Sequence, residues 1–287
     1  MRVVFLGTPV EAVPALEALL EAGHDVVTVV TRPDRRRGRG SGVAPSPVGQ
    51  IAHRRGLDVV HRLADLDAAR ADIGVVVAYG ALVPAALLER LPMLNVHFSL
   101  LPRWRGAAPV ARAILAGDEQ TGVSIMSLEP TLDTGPVHLV RTLPVGERTL
   151  SALSAELAQL GAVALVDVLG DPSLLAHPVP QVGEPTYAEK LTPEDFHLTP
   201  AMARAQAQRV VRLERAWLEV DGERVHVLGV RPAASACAPG QICVPGRVCI
   251  GLADGALELD QVRPAGRHAM AGDAWWRGRR AATRSWA

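Results

Sequence analysis

The sequence predicts an α/β fold: a mostly parallel sheet over residues 1–180, a linker at 181–200, and a small antiparallel β unit over 201–287, either a barrel or an open sheet. Three observations predict it. Short apolar runs that end in glycine or proline turns alternate with runs of helical periodicity, as in βαβ units. Residues 171–200 carry many prolines and little periodicity. After Ala216 the pattern changes to short alternating runs divided by Asp221-Gly222 and Asp254-Gly255, which are hairpin signals.

The elements follow in order. Val3 to Leu6 reads as a buried strand ended by Gly7-Thr8-Pro9. Ala12 to Ala22 has helical spacing with Gly23 just past its end, and Val26 to Val30 is a second strand. Gly7-Thr8-Pro9 is not Gly-x-Gly-x-x-Gly, so a nicotinamide enzyme is rejected. Five of the eight positions from 32 to 39 are arginine, and the glycines and prolines around them predict an exposed loop without regular structure. Guanidinium groups grip phosphate bidentately, so this loop is a candidate nucleic-acid contact, with a merely solvated basic loop as the alternative. Val48 to Arg55 reads as a helix, Leu57 to Val60 as a strand, and Ile73 to Ala78 as a strongly apolar strand ended by Tyr79-Gly80. A short helix over Pro84 to Arg90 precedes a strand ending at His97. Ser124 to Leu128 and Val137 to Leu143 are further strands, and Leu150 to Leu169 is a long amphipathic helix stopped by Gly170-Asp171-Pro172. Met202 to Leu213 is a helix that leads into the β unit. The basic, aromatic stretch from Trp275 to Arg280 either contacts RNA or packs on its own domain.

Composition bounds the function. The 287 residues are 48% hydrophobic, enough for a core, and 30 basic residues balance 30 acidic ones. A uniformly basic nucleic-acid coat is therefore excluded, while a local patch is not. No unbroken apolar run reaches the roughly 18 residues of a membrane span. A cytoplasmic monomer, without membrane attachment, is the default expectation. Cys237, Cys243 and Cys249 are odd in number and evenly spaced, which fits neither a disulfide framework nor paired zinc ligands; reduced thiols and no metal are expected.

The stretch from Asn95 to Asp133 carries the chemistry. Residues two apart on a strand share a face, so Asn95 and His97 project together at the strand's carboxyl end, where open α/β sheets bind ligands. Leu132-Asp133-Thr134-Gly135 is a later apolar-to-turn boundary bearing a carboxylate. An amide donor, an imidazole and a nearby carboxylate suit attack on a carbonyl by an external amine. Ser99 lacks a nucleophile elbow and reads as a turn-capping hydroxyl.

The run Asn95-x-His97-x-Ser99-Leu100-Leu101-Pro102, together with Leu132-Asp133-Thr134-Gly135, resembles the 10-formyltetrahydrofolate-dependent formyltransferases. The resemblance implies a Rossmann-like catalytic domain and an OB-like C-terminal barrel, with Asn95, His97 and Asp133 as the catalytic trio. It implies that Ser99, Leu100, Leu101 and Pro102 line the site of the 10-formyltetrahydrofolate donor. Gly7-Thr8-Pro9, the basic loop from Arg32 to Val48, Trp104 to Pro109, Tyr187 to Leu191 and Pro264 to Arg267 resemble the branch that formylates methionyl-tRNA. That likeness implies that Arg35, Arg37 and above all Arg39 touch the tRNA acceptor end. Glu11, Met93 and Thr131 depart from the family pattern. A small amine such as a sugar nucleotide is the alternative acceptor.

Overall fold

The computed structural model describes residues 1–36, 43–279 and 285–287. The chain forms two compact units. The first comprises Met1–Val110, Glu119–Val145 and Leu153–Glu189; the second comprises Ala111–Asp118, Gly146–Ala152 and Lys190–Ala287. The 181–200 stretch is thus divided between them at Glu189.

The chain begins with β1 (Arg2–Gly7), α1 (Val13–Glu21) and β2 (Asp25–Val30). Two short strands, β3 (Arg35–Arg36) and β4 (Val43–Ala44), precede α2 (Pro47–Arg54), β5 (Val59–Val60) and β6 (Ile73–Val77). Next come α3 (Ala85–Leu88), β7 (Met93–His97), β8 (Arg105–Gly106) and α4 (Pro109–Ala116). They are followed by β9 (Gln120–Ser127), β10 (Val137–Pro144), α5 (Leu150–Gly170), α6 (Pro172–Ala176) and β11 (Tyr187–Ala188).

The main sheet has the order β10-β9-β7-β6-β1-β2-β5. From β7 to β5 every pairing is parallel, while β9 runs antiparallel to both β7 and β10. Val3, Val4, Phe5 and Leu6 of β1 are all fully buried. A strand covered on both faces has no polar side to alternate with, which is why it reads as a continuous apolar run.

The basic loop departs from the sequence expectation. Arg35 pairs with Ala44 and Arg36 with Val43, so its base is a short antiparallel ladder. Beneath the ladder the buried hydroxyls of Thr31 and Ser46 lie 2.6 Å apart, tying the two ends of the loop together. Ser46 also accepts a hydrogen bond from Gly49 N and so caps α2. Arg37 and Arg39 lie outside the described residues.

The helix α5 is apolar on more than one face rather than amphipathic. Over an 18-residue window its mean hydropathy is 1.6, which by length and composition would allow a membrane span, and half of that window is buried in the fold. Glu156 and Asp167 interrupt the apolar run and hide this from a run-by-run reading. Leu153, Leu157, Leu165 and Val168 are buried, and at Gly161 a β-carbon would lie 2.7 Å from Val96 of β7. The strand that bears Asn95 and His97 therefore has this helix pressed against its opposite face.

The second unit contains α7 (Arg204–Arg212), β12 (Trp217–Val220), β13 (Glu223–Pro232), β14 (Ile242–Cys243), β15 (Cys249–Leu252), β16 (Gly255–Pro264), β17 (Met270–Ala271) and α8 (Gly272–Arg277). Its antiparallel sheet has the order β12-β13-β16-β15-β14, with β17 added on β16. The last residues lace its two edges together. Ser285 bridges Gln241 next to β14, while Ala287 exchanges backbone hydrogen bonds with Glu219 of β12. Between these bridges Trp286 is buried in the unit's core. Trp275 is buried too, and Arg279 pairs with Asp221 and Glu223, so these parts of the basic, aromatic stretch pack on their own unit.

Replacing Trp286 with alanine is expected to lower the stability of this unit by about 3–5 kcal/mol, read in urea unfolding. Trp286→Phe should lose less, because it keeps one six-membered aromatic ring while removing an indole N–H that has no hydrogen-bond partner among the described residues. An unmoved unfolding midpoint in Trp286→Ala would show that the tail is not part of the closure.

The cysteines correct an expectation. Cys237 and Cys243 form a disulfide, with Cα atoms 5.9 Å apart. A turn in which Gln241 N bonds to Ala238 O folds the chain back between them, and their six-residue spacing does not reveal it. Cys249 is a buried free thiol opposite Cys243 in the ladder.

Candidate active site

On β7 the side chains alternate. Asn95 stands opposite Met126 and His97 opposite Ser124, so both project from one face, while Val96 meets α5 on the other. The Asn95 side chain is half-buried, and its amide hydrogen-bonds no described residue. It is a donor left free for a ligand.

His97 is 5% exposed, and both its ring nitrogens face protein groups. Nε2 lies 2.8 Å from the Trp104 carbonyl, which can only accept, so Nε2 carries a hydrogen. In the neutral ring the lone pair is then on Nδ1, which looks across 3.7 Å at Oδ2 of Asp133. The loop after β9 returns across this sheet face to bring the carboxylate there. Oδ2 also accepts a hydrogen bond of 2.8 Å from Gly106 N on β8.

The two residues that hold the imidazole both have left-handed backbones, with φ of 61° at Trp104 and 53° at Asp133. A non-glycine residue there costs roughly 1–2 kcal/mol, so neighbours must fix the shape. Trp104 N donates to the Thr186 hydroxyl at 2.9 Å, and Arg105 N donates to the Thr186 carbonyl at 2.9 Å. The Asp133 carbonyl accepts from the Gln181 amide at 2.9 Å.

The loop from Ser99 to Pro102 is fixed from beneath. Ser99 is fully buried and donates to the Arg103 carbonyl, so its hydroxyl shapes the loop. Ser124 Oγ donates to Ser99 O at 2.8 Å and accepts from Leu101 N at 3.2 Å. Leu100 packs over Gly122 of β9, and Leu101 and Pro102 stay half-exposed as an apolar rim. Two residues past β6, burial holds the Tyr79 phenol above its ordinary pKa, keeping it a neutral hydroxyl. Among the described residues no group of three or more His, Cys, Asp or Glu is arranged to hold a metal ion.

The structure thus brings Asn95, His97 and Asp133 together and sets Ser99 to Pro102 directly after the strand that carries the first two. The Arg35 backbone lies at the base of the basic hairpin. Sequence reasoning missed the Trp104 carbonyl, the Gly106 N–H, Thr186 and Gln181. The first two are backbone groups, which leave no mark in side-chain chemistry. The last two lie in the proline-rich stretch, where no periodicity points to them.

The family model described as formyl transferase matches residues 1–169, and that described as formyl transferase, C-terminal domain, matches residues 200–280. The chain is 44% identical to the methionyl-tRNA formyltransferase of Novosphingobium aromaticivorans, over 97% of each chain. It is also 44% identical to that of Pseudarthrobacter chlorophenolicus, again over 97% of each. Among solved structures, an N-formyltransferase from Helicobacter canadensis in complex with folinic acid and dTDP-3-aminofucose superposes with a TM-score of 0.67. It covers 93% of this chain and 100% of that one at 15% identity, a likeness of fold alone. By both domain matches and by its identity to these relatives, the chain belongs to the formyl transferase family.

Proposed function

We propose that this enzyme transfers the formyl group of 10-formyltetrahydrofolate to the α-amino group of methionyl-tRNA. The observation that carries the reading is 44% identity along nearly the whole chain to enzymes named for that reaction, with the Asn95-His97 and Asp133 motifs complete. Residues 1–180 perform the chemistry with Gln181 and Thr186 supporting it, the rest of 181–200 joins the two parts, and 201–287 help hold the acceptor. Arg35, Arg37 and Arg39 meet its phosphates.

In this reading the substrate amine attacks the formyl carbon. An α-amino group has a pKa of roughly 8, so a useful fraction is unprotonated at neutral pH. Asn95 donates its free amide N–H to the oxygen that becomes negative. His97 accepts the amine's proton at Nδ1, since Nε2–H is committed to the Trp104 carbonyl. Asp133 faces that nitrogen and stabilises the imidazolium. The proton then passes to the departing folate nitrogen, the bond to the formyl carbon breaks, and the imidazole returns to neutrality. Leu101 and Pro102 offer apolar surface to the folate.

The test is transfer of labelled formyl from 10-formyltetrahydrofolate to methionyl-tRNA, free methionine, uncharged tRNA and an amino-sugar nucleotide. Efficient transfer to charged tRNA alone is expected. Transfer to the amino sugar in preference would overturn the acceptor assignment while leaving the formyl chemistry in place.

A further inference from the structure

The geometry points to Gln181 as a positioning residue for catalysis, one that sets the Asp133 carboxylate against His97 without touching substrate. The inference rests on the catalytic reading above. Gln181 is half-buried, and its amide is used in both directions. Its Nε2 donates to the Asp133 carbonyl and to the Gly135 carbonyl, each at 2.9 Å. Its Oε1 accepts from the Arg105 guanidinium, at 3.1 Å from Nε and 2.7 Å from Nη2. One side chain therefore connects the two segments whose spacing places the carboxylate, holding the first by its backbone and the second through the Arg105 side chain. The first is the Asp133–Gly135 loop, which carries it. The second is the Arg105–Gly106 strand, whose Gly106 N–H holds its Oδ2.

Three features make this more than a generic tether. Asp133 has a left-handed backbone, so without an external hold the loop relaxes toward a commoner conformation. The carboxylate-to-imidazole gap is 3.7 Å, so the pair is held by the backbone rather than by a direct short hydrogen bond. The other support of the Arg105–Gly106 strand, its pairing with Tyr187–Ala188, fixes that strand but does not reach the Asp133 loop. Apart from the Asp133 carboxylate itself, Gln181 is the side chain among these contacts that joins both segments. An amide is the one neutral group that donates to two carbonyls while accepting from a guanidinium. Glutamate at this position keeps the bond to Arg105 but puts a carboxylate against two carbonyls.

The test is a double-mutant cycle in single-turnover formyl transfer. Gln181→Ala and Gln181→Glu are each expected to lower the transfer rate about 10–100-fold, the scale of a displacement near 1 Å in a catalytic group, with affinity for the formyl donor changed less than threefold. In an Asp133→Asn background the same Gln181 substitutions should lower the rate less than threefold further, because the group they position is already gone. If Gln181→Ala fails to fold, Gln181→Glu, which keeps the side-chain length and the Arg105 contact, carries the cycle. Near-normal rates in the single variants overturn the inference, as does an equal fold-loss in both backgrounds, which is the mark of a merely structural role. An Asp133→Asn enzyme with normal turnover would instead overturn the catalytic assignment, and this inference with it.

Discussion

Replacing Asn95 with alanine should lower the rate of formyl transfer about 10²–10³-fold, or roughly 3–4 kcal/mol of transition-state stabilisation, the typical loss when one oxyanion donor is removed. The expectation is large because the amide has no other duty. It hydrogen-bonds no described residue and is half-buried, so its removal leaves no unsatisfied partner behind. Folding and donor affinity should therefore stay near normal, and the loss should appear in the transfer step. Asn95→Asp serves as the isosteric control. It keeps the volume but exchanges the N–H for a carboxylate oxygen, and it should be at least as impaired as alanine. His97→Ala should fall by a comparable factor, because it removes the base and leaves the Trp104 carbonyl and Asp133 facing a void. The combined loss should be far smaller than the product of the two, since both groups act on one transition state. Single-turnover rates with methionyl-tRNA at saturating donor decide the matter. A rate within threefold of the parent in Asn95→Ala would exclude this amide as the oxyanion donor.

Some of this site was legible in the sequence for a simple reason. Strand geometry converts a spacing of two into a shared face, so Asn95 and His97 could be placed together once the run before them read as a buried strand. The parallel sheet was legible because strands covered on both faces, such as β1, are apolar throughout. The contacts that hold His97 and Asp133 in place were not. The Trp104 carbonyl and Gly106 N–H are backbone groups, and any residue supplies them. Gln181 acts through three contacts, two of them to backbone carbonyls, from a segment whose prolines read as a connection. The base of the basic loop was missed because Thr31 and Ser46, which join its ends, are separated by a stretch rich in glycine and proline. The disulfide was missed because a turn, rather than a repeat or a motif, brings Cys237 to Cys243. In each case the missing information is the path of the backbone.

The same dependence on backbone path makes Gly135→Ala the second substitution expected to have a large effect. A β-carbon at Gly135 would lie 1.9 Å from the carbonyl oxygen of Ser127 and 3.0 Å from its carbonyl carbon. Both are backbone atoms of β9, a strand paired along its length with β7 and β10, so no flexible side chain can move aside. To reach ordinary contact distance the loop must retreat from β9 by more than 1 Å. That loop carries Asp133 two residues earlier, and the Gly135 carbonyl is one of the two that Gln181 holds. The retreat therefore moves the carboxylate from His97 and breaks the contact that would restore it. A displacement of this size in a catalytic group costs about 10²-fold in rate, and that is the expected loss in the transfer step. Folding should survive the change, because Leu132 is exposed and Asp133 and Thr134 lie outside the sheet's ladders, although the retreat also strains the hydrogen bond from Ser127 N to the Pro136 carbonyl. The final glycine of Leu-Asp-Thr-Gly then has a physical meaning: it lets the loop lie on β9 closely enough for its carboxylate to reach the imidazole. A Gly135→Ala enzyme with parental rate would show that the carboxylate does not need this placement, and the role given to Asp133 would fall with it.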